Sequence, residues 1–149
     1  MATAAGTLVT PGSALVVDAS VAAAWLLHDE ATDYTESALH ATAVCEVWVP
    51  ALWLLEVGNL LLSAQKRGRI DTAKRQALVQ SAADLRLRVD REPVTMMQID
   101  ALAERHQLTA YDAAYLELAQ RRGLPLATLD RALVAALAAT GAAPAEFAL

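Results

Sequence analysis

Asp18, Glu56, Asp112 and Asp130 each stand inside an otherwise apolar segment: Asp18 closes the run ALVV, Glu56 lies in VPALWLLEVGNLL, Asp112 in LTAYDAAYLELA, and Asp130 closes LATLD. An unpaired carboxylate is costly in such surroundings, so either each acid has a local structural partner or the four meet around a cation. Mg²⁺ and Mn²⁺ are hard ions that take carboxylate and water oxygens, and a set of Asp and Glu without paired His or Cys suits them. A divalent ion held this way polarises a phosphoryl oxygen and lowers the pKa of a bound water, which makes phosphodiester hydrolysis the natural use of such a set.

Each acid also has a plain structural role available. Asp112 follows Thr109 in a Thr-x-x-Asp arrangement suited to a helix N-terminus. Asp18 and Asp130 are placed to cap the helices that follow them, and Glu56 fits a solvated helix face. Capping and metal binding do not exclude one another, and the recurrence of acids at strand ends favours the shared site.

Other chemistries have less behind them. His28, His40 and His106 show no metal-ligand spacing, and Cys45, the single cysteine, has no basic neighbour in sequence to activate it and can form no internal disulfide. Neither GxGxxG nor GxxxxGK[ST] occurs. Trp25, Trp48 and Trp53 sit in apolar segments that suit core packing. A phosphatase or receiver-type aspartyl phosphate shares the Asp after a first strand. Asp18, however, opens Asp-x-Ser where the phosphatases use Asp-x-Asp, and no Lys accompanies the Asp130 strand.

The elements that must position the acids follow from periodicity. Ala14–Val17 reads as a buried parallel strand, VAAAWLL as a helix, residues 31–42 as a second helix, and Val47–Val49 as a strand stopped by Pro50, which suits the first turn of the next helix. That helix, to about Lys66, puts Leu54, Val57, Leu61 and Ala64 on one face and Glu56, Asn59 and Ser63 on another. Asp71 caps a helix with Leu78, Ala82 and Leu85 on its apolar side, and Leu87–Val89 reads as an edge strand. Pro93 starts a helix to about His106, Thr109 caps one ended by Gly123, Pro125–Thr128 is a strand, and Asp130 starts a last helix ending near Gly141. Phe147–Leu149 reads as an edge strand. Strands alternating with helices predict an α/β sandwich with a mainly parallel sheet, whose ligands bind beyond the strands' carboxyl ends.

The 149 residues suit one domain over 14–149, after a flexible lead over 1–13 that is small, polar and carries Pro11 and Gly12. With 56% hydrophobic and 19% charged residues the chain is not a disordered one. The net charge of -5 argues against a generic nucleic-acid sponge. Residues 1–65 nonetheless hold seven acidic and no basic residues, while all twelve basic ones fall in 66–131, a polarity that permits an acidic pocket beside basic surface. The first basic residue is Lys66, so no export signal is read, and the apolar stretch Val47–Leu55 is far shorter than the roughly 20 residues of a membrane span. A reducing cytoplasm is the expected location.

The motifs VVDASV, VPALWLLEVGNLL, LTAYDAAYLELA and LATLD, in this order across residues 15–130, resemble the PIN-domain family, in particular the VapC toxins of bacterial toxin–antitoxin pairs. The resemblance implies a PIN-like three-layer α/β/α sandwich and a Mg²⁺- or Mn²⁺-dependent endoribonuclease acting on RNA. In it Asp18, Asp112 and Asp130 look like the metal-holding carboxylates and Glu56 like the fourth acid. Ser20, Asn59 and Thr128 resemble the polar accompaniment that orients carboxylates or waters. A homodimer is also implied, as is a cognate antitoxin that covers the active site, with the Trp25 segment among the surfaces open to partners. The alternative is a PIN-like assembly module without useful catalysis.

Overall fold

The computed structural model describes residues 4–148. Four parallel strands form the central sheet in the order β4-β3-β2-β5, with β2 at Ala14–Val17, β3 at Glu46–Pro50, β4 at Leu87–Asp90 and β5 at Leu126–Ala127. The helices α1 (Ala19–Leu26), α2 (Asp33–Val44), α3 (Trp53–Lys66), α4 (Thr72–Ala83), α5 (Met96–His106), α6 (Ala110–Arg122) and α7 (Arg131–Thr140) complete a three-layer α/β/α sandwich. Leu15, Val16, Val17, Val47, Val49, Leu126 and Ala127 are fully buried, as a parallel sheet covered on both faces requires. Among the described residues no helix is long and apolar enough to cross a membrane.

Because every strand of this sheet runs the same way, the carboxyl ends of β2 and β5 lie side by side, and the register pairs Val17 with Ala127. The residues that follow, Asp18 and Thr128, therefore emerge together. α6 packs across β2 and β3 and forms a hairpin with α5, which brings its first turn, carrying Asp112, to the same edge of the sheet.

Several expectations shift for local reasons. The lead expected to be loose over 1–13 contains β1, Thr7–Val9, which pairs in parallel with β6, Ala145–Phe147. Three residues carry no periodicity of their own, and this strand exists because its partner supplies the hydrogen bonds. Tyr34 fastens β6 in turn, donating its hydroxyl to the Ala145 carbonyl at 2.9 Å and meeting Phe147 edge-on at 5.2 Å between ring centroids. β6 thus falls earlier than the expected 147–149, of which Leu149 lies outside the described residues.

Pro50 ends β3 instead of opening a helix, and α3 begins at Trp53. That start sets the helix phase: Trp53, Val57, Leu61 and Ala64 are buried, while Leu54, expected in the core, is 55% exposed because the larger Trp53 takes the inward position. Pro93 likewise precedes its helix. α5 starts at Met96, capped by Thr95, whose hydroxyl accepts from Gln98 N while the Gln98 side chain returns to the Thr95 N–H.

Candidate active site

Asp18 ends β2 and caps α1. Its Oδ1 accepts from the Ser20 N–H at 3.0 Å, the Val21 N–H at 3.2 Å and the Ser20 hydroxyl at 2.6 Å, and its Oδ2 accepts from the Thr128 hydroxyl. The same two hydroxyls stitch β2 to the β5 exit: Ser20 Oγ accepts from Leu129 N at 3.0 Å and Thr128 Oγ1 from Asp130 N at 3.0 Å. Asp18 is 3% exposed, and burial raises its pKa against the lowering effect of these bonds.

Asp130 caps α7, accepting from Leu133 N at 2.9 Å. Asp112 sits in the first turn of α6, where Thr109 Oγ1 accepts its N–H at 3.1 Å. Burial raises the Asp112 pKa and the Asp130 charge adds to the rise. Glu56 lies in the first turn of α3, its Oε1 accepting from the Tyr115 hydroxyl at 2.7 Å. Burial raises its pKa too, reinforced by the charges of Asp112 and Asp18 and opposed by the Tyr115 bond.

The four acids therefore share one electrostatic neighbourhood at the carboxyl edge of the sheet, and none of them forms an ion pair among the described residues. They are not a closed cluster: among the described residues no three His, Cys, Asp or Glu side chains stand close enough to hold a metal ion as they are. Like charges with no cation between them repel, and each carboxylate is held by its own helix or hydroxyl. The donor set still fits a hard divalent ion. It is all oxygen, lacks a basic partner, and three of its members lie where burial disfavours the anion, a penalty that a nearby positive charge removes.

Of the accompanying residues, Ser20 and Thr128 both hydrogen-bond Asp18, whereas Asn59 is exposed with no side-chain hydrogen bond among the described residues. Tyr115 was not singled out by sequence reasoning. The available signal was its place three residues after Asp112, which puts the two on one face of α6. Tyr115 is 1% exposed, and its own pKa is raised by burial and by the Glu56, Asp18 and Asp112 charges.

A further strand-end acid is treated differently. Asp90, closing β4, accepts from Arg121 at 2.6 Å and from Arg122 at 2.8 Å, and the Arg122 guanidinium lies 3.6 Å from the Trp48 ring centroid. Burial alone would raise the Asp90 pKa, yet the two arginines lower it overall.

A parallel sheet ending in these acids is the architecture of a PIN domain, and residues 15–138 match the PIN domain family model. The chain belongs to that family. Within it, the chain is 33% identical over 121 residues to ribonuclease VapC3 of Pyrobaculum aerophilum, covering 80% of this chain and 91% of the relative. Its fold is similar to the crystal structure of PAE2754 from Pyrobaculum aerophilum, with a TM-score of 0.63, 26% identity, and 91% of this chain and 83% of that one covered. It is also similar to the sarcin-ricin loop cleaving toxin VapC20 of Mycobacterium tuberculosis, with a TM-score of 0.56, 19% identity, and 82% and 94% covered. A toxin–antitoxin complex from Klebsiella pneumoniae shares the fold at a TM-score of 0.50 and 16% identity, with 78% and 86% covered.

Proposed function

We propose that this chain is a Mg²⁺- or Mn²⁺-dependent endoribonuclease, a growth-inhibiting toxin held in check by a cognate antitoxin. The observation that carries the reading is the meeting, at one sheet edge, of four carboxylates without a counter-cation in a chain whose relative is a ribonuclease. Asp18, Asp112 and Asp130 would hold the ion, directly or through water, with Glu56 as the fourth acid. Bound there, the ion supplies a polarised phosphoryl oxygen and a water of lowered pKa. The chain's own residues supply rigidity: Ser20 and Thr128 fix both oxygens of Asp18, and Tyr115 fixes Glu56. The N-termini of α1, α6 and α7 lie beside the acids and offset part of their mutual repulsion.

The test is cleavage of RNA by purified, partner-free protein with and without Mn²⁺. Asp18→Asn keeps the side chain's shape and removes its charge, so cleavage falls by about a hundredfold or more while the fold persists. Undiminished cleavage by that variant sinks the assignment. The toxin–antitoxin complex among the structural neighbours motivates the antitoxin partner. The homodimer and the cytoplasmic location rest on the family resemblance and the single cysteine.

A second reading has one observation in its favour: the acids are tied into caps and hydroxyl bonds instead of a closed ligand cluster. A PIN-like assembly module has that property. Calorimetry that detects no Mn²⁺ binding to the partner-free protein selects it.

A further inference from the structure

β5 is two residues long, yet its exit carries much of the site's framework. The Ala127 carbonyl accepts from Asp18 N at 3.1 Å, Thr128 donates its hydroxyl to Asp18, Leu129 N donates to Ser20 Oγ, and Asp130 caps α7. On its other side β5 begins a second parallel ladder. Leu126 N donates to the Ala143 carbonyl at 3.0 Å, and Leu126 bridges Pro144 in parallel. Parallel ladders space their bonds evenly, so the next rung, two residues on in each chain segment, would join Thr128 N to the Ala145 carbonyl.

A side chain occupies that rung instead. The Tyr34 hydroxyl donates to the Ala145 carbonyl at 2.9 Å, and the Thr128 N–H faces the same oxygen. A hydroxyl can accept and donate at once, so one oxygen serves both backbone groups. Thr128 and Ala145 are 7% and 2% exposed, and without that oxygen a buried donor and a buried acceptor would lose their partner. Thr128 is also the link to the acids, because its hydroxyl both serves Asp18 and accepts from Asp130 N at 3.0 Å.

Tyr34 itself stands on a fixed base. It lies in the first turn of α2, around which Thr32 and Thr35 close a capping box, and the Thr35 carbonyl accepts from Trp25 Nε1 at 2.8 Å. Burial and then the Asp18 charge push the Tyr34 pKa up to about 12, opposed by the Thr128 N–H, so the hydroxyl keeps its proton at neutral pH and goes on donating to Ala145.

We propose that Tyr34 is a positioning residue of the candidate metal site: its hydroxyl, inserted between β5 and β6, places Thr128 and through it Asp18 and Asp130. Once the hydroxyl is gone, Thr128 either leaves its rung or slides to Ala145 to close the ladder directly, and both shift its Oγ1 relative to Asp18. The consequence for metal rests on the metal-dependent ribonuclease reading, whereas the placement of Thr128 does not.

Two variants separate the oxygen from the clasp. Tyr34→Phe keeps the ring against Phe147 and removes the hydroxyl, while Phe147→Leu loosens the same contact and keeps it. Amide hydrogen exchange of metal-free, partner-free protein should quicken about tenfold at Leu129 and Asp130 in Tyr34→Phe and stay unchanged in Phe147→Leu, since those N–H groups bond Ser20 Oγ and Thr128 Oγ1. Calorimetry should show Mn²⁺ affinity about tenfold weaker in Tyr34→Phe and near wild type in Phe147→Leu, the size usual for losing a group that orients a metal ligand. Unchanged exchange in Tyr34→Phe, or equal changes in both variants, overturns the proposal, because the hydroxyl then only fastens β6. Quickened exchange with unchanged Mn²⁺ affinity overturns it as well. Wild-type protein that binds no Mn²⁺ sinks the metal reading by itself, and the exchange pattern then decides alone whether Tyr34 places Thr128.

Discussion

The carboxyl edge of the sheet carries two acidic regions built on opposite principles. At the end of β4, Asp90 is buried against two arginines and held below its usual pKa. Elsewhere along that edge, Asp18 after β2, Glu56 in the first turn of α3 and Asp112 in the first turn of α6 are pushed above their usual values, with no basic residue paired to them among the described residues. The first region spends its charge on structure, docking the last turn of α6 onto the edge strand. The second stores charge that helix N-termini and hydroxyls ease but that no basic side chain pairs with among the described residues. A carboxylate's position at a strand end therefore does not reveal its role, whereas its partners do.

The sharpest way to break this contrast is to remove one acid from each region and compare metal-free stability by urea unfolding. Asp90→Ala leaves the Arg122 guanidinium without a carboxylate and Arg121 with Glu117 alone. Since Arg121 and Arg122 keep 31% and 29% of their side chains exposed, the cost falls at the low end for a broken buried pair, about 3 kcal/mol. Asp18→Asn removes a buried charge that has no counter-ion while keeping its shape, and leaves stability equal or higher. Equal losses in the two variants would erase the distinction.

Adding Mn²⁺ should act on one region only. Stabilisation by a bound ion grows with its free concentration, reaching about 2.7 kcal/mol at roughly a hundred times its dissociation constant. We expect the thermal midpoint to rise with Mn²⁺ in the wild type and not in Asp18→Asn. A rise of the same size in both would place the ion elsewhere.

The pH dependence has opposite signs in the two regions. Asp90 has a folded-state pKa below the ordinary aspartate value of 3.8, so its contribution is present above that value and lost as pH falls through the lowered one. Asp18, Glu56 and Asp112 have raised folded-state values, so metal-free stability falls as pH climbs from their ordinary values through the raised ones. Stability curves measured across the acid range with chelator present should show the acid-side loss shrink in Asp90→Asn and the penalty on rising pH shrink in Asp18→Asn.

The smallest effect belongs to Tyr115→Phe. It removes the hydroxyl that holds Glu56, at a cost of about 1 kcal/mol, and calorimetry should show weakened Mn²⁺ binding with the fold retained. Unaltered binding would show that Glu56 needs no such support.

Much of this was legible in the residues themselves. Asp18 and Asp130 announce their positions because each closes a short apolar segment and opens a helix, Asp18 directly after β2 and Asp130 three residues past β5, and Thr109 announces the start of α6 by its Thr-x-x-Asp spacing. What escaped depends on partners distant in the chain. Tyr115 matters through Glu56, and Asp90 through Arg121 and Arg122, pairs that only the folded sheet brings together. β1 is invisible without β6, and Leu54 was misplaced because helix phase turns on which of two adjacent large residues faces inward. Asn59 shares a helix face with Glu56, yet a shared face gives proximity and not a bond.

The pairing of β1 with β6 also imposes an order in time. Thr7–Val9 precede every other described strand and helix and Ala145–Phe147 follow them all, so their contact closes nearly the whole described chain into one loop, an entropic expense that places it late in folding. On the ribosome, every acid of the site through Asp130 is synthesised before β6 exists. The nascent chain thus holds all four carboxylates while β1 is still an open strand edge, and the synthesis of β6 closes that clasp.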